Sequence, residues 1–337
     1  MSKSIKSTRL NINSVASAAG VSKTTVSHVV SGNRPVSEET RARVQKVIAE
    51  LGFQPNYFAQ ALNSSTSRSV ALVVQDITNS FYPALARGVQ SVMASSNQVL
   101  MLFDAGARDN AIDAFVADVI QRRVDGVIVA AGGIEAQIRA LVNAGVAVVT
   151  VGSEVSTLPL DWASADDVAI GITAVEFLYS RGHTRIATIG GSFAYEPGRG
   201  RHKGYAQAMD RLGLARNPLW EVESDFSRQG GAAATHALLG LADPPTAVFC
   251  ANDLMAIGAL DAAREANLVV PDDIAIMGVD DIEAASLVSP SLSTVRVPAE
   301  EIGRFAGELL LGRINGGSPD AQHHVLVKHS LVPRQSA

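Results

Sequence analysis

The sequence predicts a small all-α helix-turn-helix head followed by an α/β body of two doubly wound parallel-sheet subdomains. Near the N-terminus two short helices with apolar edges meet at a glycine. From Val70 onward, short apolar runs alternate with amphipathic helical stretches, the pattern of parallel sheets covered by helices. Between the two lies Asn63-Ser-Ser-Thr-Ser-Arg68, a polar linker. Charge is divided along the same line. The 337 residues contain 28 Lys/Arg and 33 Asp/Glu, yet residues 1–69 hold nine of the bases and only three of the acids. A basic head on an acidic body suits phosphate contact at one end and solubility at the other. A hydrophobic content of 47% supplies a core for more than one such unit.

In the head, Ile12 to Ala19 reads as an apolar helix ended by Gly20. Val21 to Gly32 follows, with Ser22 as its N-cap and Val26, Val29 and Val30 turned inward. Lys23, Thr24, Thr25, Ser27 and His28 then form a face rich in donors and poor in acid. A helix, a glycine turn and a polar-faced helix make a helix-turn-helix, whose second member enters a DNA major groove. The competing reading is a three-helix domain with a Ser/Thr-rich surface. Ser37 caps a third helix to Leu51, with Glu38 and Glu39 in its first turn and Val44, Val47, Ile48 and Leu51 as its stripe. Gly52 ends it, and Pro55-Asn56 opens Tyr57 to Leu62, a segment with helical potential but too short to be stable alone.

In the body, strand-like runs occur at 70–75, 98–103, 125–130, 147–151, 185–190, 246–250 and 274–279. Helices are expected near 82–95, 109–122, 134–144, 167–181, 200–213, 228–240, 253–266 and 298–312. About 260 residues exceed one such sheet, so two subdomains with a cleft at the carboxyl ends of their strands are expected. Asp161–Ser164, Ser291–Val295 and a C-terminal strand near 322–332 are the candidate crossovers. The single cysteine, Cys250, excludes an intrachain disulfide, and its apolar surroundings favour a buried strand residue over a nucleophile. The first ten residues are polar and basic, without the apolar run of an export signal, and no apolar run reaches membrane-spanning length. A cytoplasmic protein without membrane association is expected.

The chain resembles the LacI–GalR family of bacterial transcription regulators from end to end. The head carries Ala16-Ser-Ala-Ala-Gly-Val-Ser22, Thr25-Val-Ser-His28, Val36-Ser-Glu-Glu-Thr-Arg41 and Gly52-Phe-Gln-Pro-Asn56. The body carries Asp76-Ile-Thr-Asn79, Val124-Asp-Gly-Val-Ile128, Gly182-His-Thr-Arg-Ile186, Ala251-Asn-Asp253, Gly278-Val-Asp-Asp281 and Pro290-Ser-Leu-Ser-Thr-Val295. Each is weak alone; their order and spacing together carry the resemblance. It implies a DNA-binding domain over 9–55, a hinge helix and linker over 56–67, and an effector-binding and dimerisation domain over 68–337. Within the last, an N-subdomain takes 68–161 and 293–321, and a C-subdomain takes 162–292 and 322–337.

By that resemblance Lys23 and Thr24 read base edges, while Thr25, Ser27, Asn33 and Arg34 hold phosphates, with Ser22 and Asn56 in the same DNA-binding set. His28 stands where the family more often has Arg, and either a base contact or a phosphate or solvent contact suits it. Tyr57 to Leu62 resembles the hinge helix that folds when two protomers meet on DNA. Leu62 is then the wedge between base pairs in the minor groove; the alternative is packing on the body.

For the effector, Phe81 and Tyr82 are expected at the cleft lip, Phe226 as an aromatic wall, and Arg201, Asn252 and Asp280 as polar contacts. Each polar residue has a plainer alternative: Asn252 as a helix N-cap, Asp280 as a turn brace, Arg201 as the partner of a surface acid. After the first subdomain's fourth strand the run Val151-Gly152-Ser153 leaves a common family contact absent or supplied by Ser153. The implied partners are near-palindromic operator DNA, a sugar or related metabolite, and a second copy of the chain in a homodimer. The tail lacks heptads, which disfavours a coiled-coil tetramer.

An enzyme, or a binding protein for transport, is the rival on the same fold. Asp280-Asp281 are adjacent turn residues with no acid opposite them, and Gly198-Arg-Gly-Arg-His-Lys-Gly204 has the wrong spacing for a dinucleotide loop. His323-His324 on one strand point to opposite faces, which is no metal pair. No cofactor, metal or catalytic residue is expected. A transport protein has no use for a basic head.

Overall fold

The computed structural model describes residues 10–31, 34–53, 67–106, 111–153, 156–317 and 321–337. The chain divides into two compact units, Met1–Ser67 and Arg68–Ala337. Asn33, Asn56, Leu62 and the expected hinge helix lie outside the described residues.

The first unit contains α1 (Ile12–Ala19), α2 (Lys23–Ser31) and α3 (Glu38–Leu51). Asn11 caps α1, its Oδ1 accepting from the backbone N–H of Asn13 and Ser14. Gly20 then takes the left-handed conformation (φ 63°), a backbone shape that costs glycine little, and Val21 N–H donates to the Ala16 carbonyl at 3.0 Å. Ser22 caps α2, its Oγ accepting from Thr25 N–H at 3.0 Å. Val15, Ala16, Ala19, Val26, Val29 and Val44 form the core, with Val30 half-buried at its margin.

The second unit opens with β1 (Ser69–Val74), α4 (Phe81–Ser95), β2 (Val99–Asp104), α5 (Ala111–Gln121), β3 (Gly126–Ala130), α6 (Glu135–Asn143), β4 (Ala147–Val151) and β5 (Asp161–Ala165). It continues with α7 (Asp167–Ser180), β6 (Ile186–Gly190), α8 (Gly198–Arg211), β7 (Glu221–Glu223), α9 (Arg228–Leu239), β8 (Ala247–Cys250), α10 (Asp253–Glu265) and β9 (Ala275–Asp280). Then come α11 (Glu283–Leu287), β10 (Ser293–Arg296), α12 (Ala299–Ile314), β11 (His324–Val327) and β12 (Ser330–Val332). The strands form two six-stranded sheets, ordered β11-β5-β4-β3-β1-β2 and β12-β10-β9-β8-β6-β7. The first is parallel throughout; in the second only β12 is antiparallel.

Strand alternation separates the two faces of each sheet. On β1, Val70, Leu72 and Val74 belong to a core with Leu85, Val89, Ile302 and Leu310, while Ala71 and Val73 belong to another with Val116, Val119, Ile138 and Leu141. Burial on both faces explains why the strands read as continuous apolar runs.

Each sheet reverses its strand order next to its first strand, between β1 and β3 and between β6 and β8. Open sheets bind ligands beyond the carboxyl ends of strands at such points.

The chain changes sheet after β5, after β10 and between β11 and β12. These exchanges depart from the subdomain limits expected from the sequence. Residues 162–165 stay in the first sheet, 293–296 stay in the second, and the expected C-terminal strand is two strands, one in each sheet. The reason is local: Asp-Trp-Ala-Ser-Ala and Ser-Thr-Val-Arg, each paired on both sides, lack a run of branched apolar residues, so no apolar pattern marks where these strands end and the chain crosses. The short β7 and α11 were likewise not expected, since three to five residues leave no periodicity to read.

Three helix pairs cross at paired glycines: α4 and α12 at Gly88 and Gly303, α7 and α8 at Gly171 and Gly204, α9 and α10 at Gly231 and Gly258. A Cβ on Gly204 would stand 2.1 Å from the Val168 carbonyl oxygen, so no larger residue fits without separating the helices. The crossing of α7 and α8 matters most, because it brings the first turns of these helices together above the strand ends.

Candidate functional site

A cavity of about 450 Å³ lies between the two sheets. From the first sheet's side it is lined by Gln75, Asp76, Asn79, Phe81, Tyr82 and the Ala131-Gly132 turn. Ser192, Tyr195, Glu196, Arg201, Asp225, Phe226, Asn252 and Asp280 line it from the second, and Asp167 from the segment between them. Most of these residues follow a strand's carboxyl end, as expected of a site at two switch points.

Arg201 is its centre. It is 5% exposed, one turn into α8, and its Nε donates to Asp167 Oδ1 at 2.9 Å. Its Nη1 donates to the Ala251 carbonyl and stands 3.7 Å from Asp280 Oδ1. Of its two readings, neither ligand contact alone nor pairing with a surface acid describes it: the acid it pairs with has a side chain only 11% exposed. Asp167 was missed because an acid in a helix's first turn reads as a dipole partner. The crossing at Gly171 and Gly204 brings these residues together. The run from Gly198 to Gly204, whose spacing is wrong for a dinucleotide loop, owes its glycines to packing against Ser192, Asp167, Glu196 and Val168.

Burial raises the carboxyl pKa of Asp280 to about 7, with Arg201 pulling it down and Asp167 pushing it up. The same burial raises Asp167 to about 6, against the pull of Arg201. Two acids therefore share one guanidinium, and both hold their protons more tightly than free carboxylates do. Asp280 also accepts a hydrogen bond from the Asn79 side chain, so a residue after β1 reaches a residue at the end of β9 across the cleft. Asn79 is buried and its Oδ1 takes the N–H of Phe81 at 3.0 Å. It was missed as a site residue, although it lies in one of the motifs noted from the sequence.

Asn252, 1% exposed, caps α10: its Oδ1 accepts from Met255 N–H and its Nδ2 donates to the Phe226 carbonyl, both at 2.9 Å. The plainer alternative thus describes it, and it also lines the cavity. Its bond holds Phe226 in a left-handed conformation (φ 63°), with the ring against Gly191 at the end of β6. Phe81 and Tyr82 pack edge to face, centroids 5.4 Å apart. Burial and the charge of Asp280 push the Tyr82 hydroxyl well above its usual range, which keeps it a proton donor. Tyr195, also missed, lays its ring over Gly132 and Gly133 across the cleft mouth. Ser153 is not in this cavity. It is exposed and lines a separate hollow of about 140 Å³ with Trp162 and His324.

Asp280 and Asp281 point apart. Asp281 pairs with Arg296 at 2.7 Å and with Arg334, away from Arg201. Among the described residues no group of three or more His, Cys, Asp or Glu has the geometry to hold a metal ion, and no helix is long and apolar enough to cross a membrane.

In the head, Lys23 and Thr24 are exposed on the first turn of α2, and Thr25, Ser27 and His28 are partly exposed along it. Arg34 is exposed in the bend that follows. The Ser22 and Thr25 hydroxyls are 2.8 Å apart, so both are tied to the start of the helix. The face is therefore small hydroxyls, one Lys and one His over a Val26–Val29 core, with the helix N-terminus exposed.

The chain matches two family models: "Bacterial regulatory proteins, lacI family" over residues 11–56, and "Periplasmic binding protein-like domain" over residues 175–337. It is 35% identical over 309 residues to the ribose operon repressor of Escherichia coli strain K12, covering 89% of this chain and 92% of that protein. Among solved structures it is similar to the lac repressor dimer bound to operator and the anti-inducer ONPF, with a TM-score of 0.83 and 26% identity over 97% of this chain and 98% of that one. It is also similar to the transcriptional regulator CelR in its cellobiose complex, with a TM-score of 0.76 and 30% identity over 98% of this chain and 100% of that one.

Proposed function

Because this chain belongs to the lacI family of bacterial regulatory proteins, we propose that it is a transcriptional repressor that a small molecule switches on or off its operator. The observation that carries this reading is the pairing, in one chain, of a helix-turn-helix head with a cavity centred on a buried, acid-flanked arginine. As in the lac repressor complex, two copies bind as a dimer, one head to each half of a near-palindromic site. Lys23 and Thr24 contact base edges, His28 reads the following step, and Ser22, Thr25, Ser27 and Arg34 hold phosphates. Asn33, Asn56 and Leu62 complete the set, Leu62 as the minor-groove wedge.

The effector binds between the sheets, against Phe81, Tyr82 and Phe226, with Arg201 and Asp280 directed at its polar groups. Asn252 shapes this wall through Phe226. The protein works in the cytoplasm, where its operator lies, and as a regulator rather than an enzyme or an exported binding protein. Asp281 is held by two arginines, and Asp167 and Asp280 share one.

The test is operator binding by fluorescence anisotropy, with and without a ligand that the body binds. A change of about 5- to 150-fold is expected, the range of coupling energies of about 1–3 kcal/mol. Affinity indifferent to every ligand of the body would overturn the switch. Failure to bind any operator would overturn the regulator.

A further inference from the structure

We propose that the cleft is built to exclude anions, so that its effector is an uncharged, hydroxyl-rich molecule such as a free sugar, and not a sugar phosphate or sugar acid. The proposal deepens the effector-site reading above and rests on it.

Five carboxyl groups line the cavity, those of Asp76, Asp167, Glu196, Asp225 and Asp280, against a single basic side chain, Arg201, among the described lining residues. That guanidinium is already engaged on three sides by Asp167, Asp280 and the Ala251 carbonyl. The two acids beside it offset its charge, so it offers an anion less than an unpaired arginine would. Hydrogen bonds from Ser227 hold the Asp225 carboxyl below the usual range, and Asp76 Oδ1 accepts from the N–H and hydroxyl of Thr78 at 2.8 and 2.7 Å. Glu196 is paired with Arg199 at 3.0 Å and takes the Gly200 N–H at 3.1 Å. A phosphate ester carries about −1.5 to −2 charge at neutral pH, and here it meets carboxyl groups on both walls.

The same groups suit a donor-rich neutral ligand. Carboxylates accept hydroxyl protons, so a polyol satisfies several of them at once without bringing charge. Phe81, Tyr82, Tyr195 and Phe226 supply flat surfaces for the C–H faces of a ring. An acceptor-rich cavity with aromatic walls selects for many O–H donors and against acceptor-only anions.

The experiment is calorimetric titration of the full-length chain with matched sets: ribose, ribose 5-phosphate and ribonate; glucose, glucose 6-phosphate and gluconate; cellobiose and cellobionate. At least one neutral member should bind, and its phosphorylated or acidic counterpart should bind ~100-fold or more weakly, as several like-charge contacts imply. In Asp76→Asn/Asp225→Asn, where both amides keep an acceptor oxygen for Thr78 and Ser227, the gap should shrink at least about tenfold. A charged member binding within about tenfold of its parent would overturn the proposal. So would an unchanged gap in the double variant, which would make the exclusion one of size. Silence from every neutral member in a chain that still binds its operator would overturn the proposal and leave the regulator standing. Loss of operator binding itself would count against the regulator reading and not against the cleft's preference.

Discussion

Replacing Arg201 by Leu strands the carboxyl groups of Asp280, which is buried, and of Asp167, which is largely so, and the loss should be about 3–5 kcal/mol, the cost of removing one partner from a buried pair. Urea unfolding checks it, and the loss should be smaller at pH 5 than at pH 7.5, because Asp167 and Asp280 can then be neutral. The direction follows from their raised values. Both bind protons more tightly folded, at about 6 and about 7, than at the ordinary 3.8. The native state therefore holds more protons than the unfolded one between about pH 4 and 7, and their contribution to stability is lost as pH rises through that window. Asp280→Asn should flatten this decline in a series of melts across it. Of the residues that line the cavity, Arg201, Asp280, Phe81, Tyr82 and Phe226 were legible in the sequence through the resemblance. Asp167, Asn79 and Tyr195 were not. Asp167 and Tyr195 have ordinary local explanations, and Asn79 becomes significant only once Asp280 is brought opposite it.

At the scale of elements, Gly204→Ala should destabilise the body by about 1–3 kcal/mol, since its Cβ meets the Val168 carbonyl and not a flexible side chain. It should weaken effector binding as well, because parting α7 from α8 moves Arg201 from Asp167. Calorimetry reads both. In the head, Ser22→Ala removes the acceptor for Thr25 N–H and should cost α2 about 1 kcal/mol, seen as roughly fivefold faster amide exchange along that helix. The helices of the head and the buried strands were legible because their periods repeat over several turns or residues. The strands at the exchange points were not: Asp161–Ala165 buries Asp161, Ala163, Ser164 and Ala165, so its place in a sheet is written in pairing and not in apolar pattern.

For the whole molecule, a ligand at 100 times its Kd should add about 2.7 kcal/mol to the body and raise its melting temperature by about 5 °C. Scanning calorimetry of the full chain measures the shift. The body is crossed three times between its sheets, after β5, after β10 and between β11 and β12. Three short tethers act on the two sheets as a flexure acts on two plates. A single strand would leave sliding, twisting and bending all open; three tethers restrict how far the sheets can slide or twist past one another. A ligand gripping both walls thus acts on fewer motions than it would with one tether. A backbone cut at any one tether would leave the sheets joined by the other two.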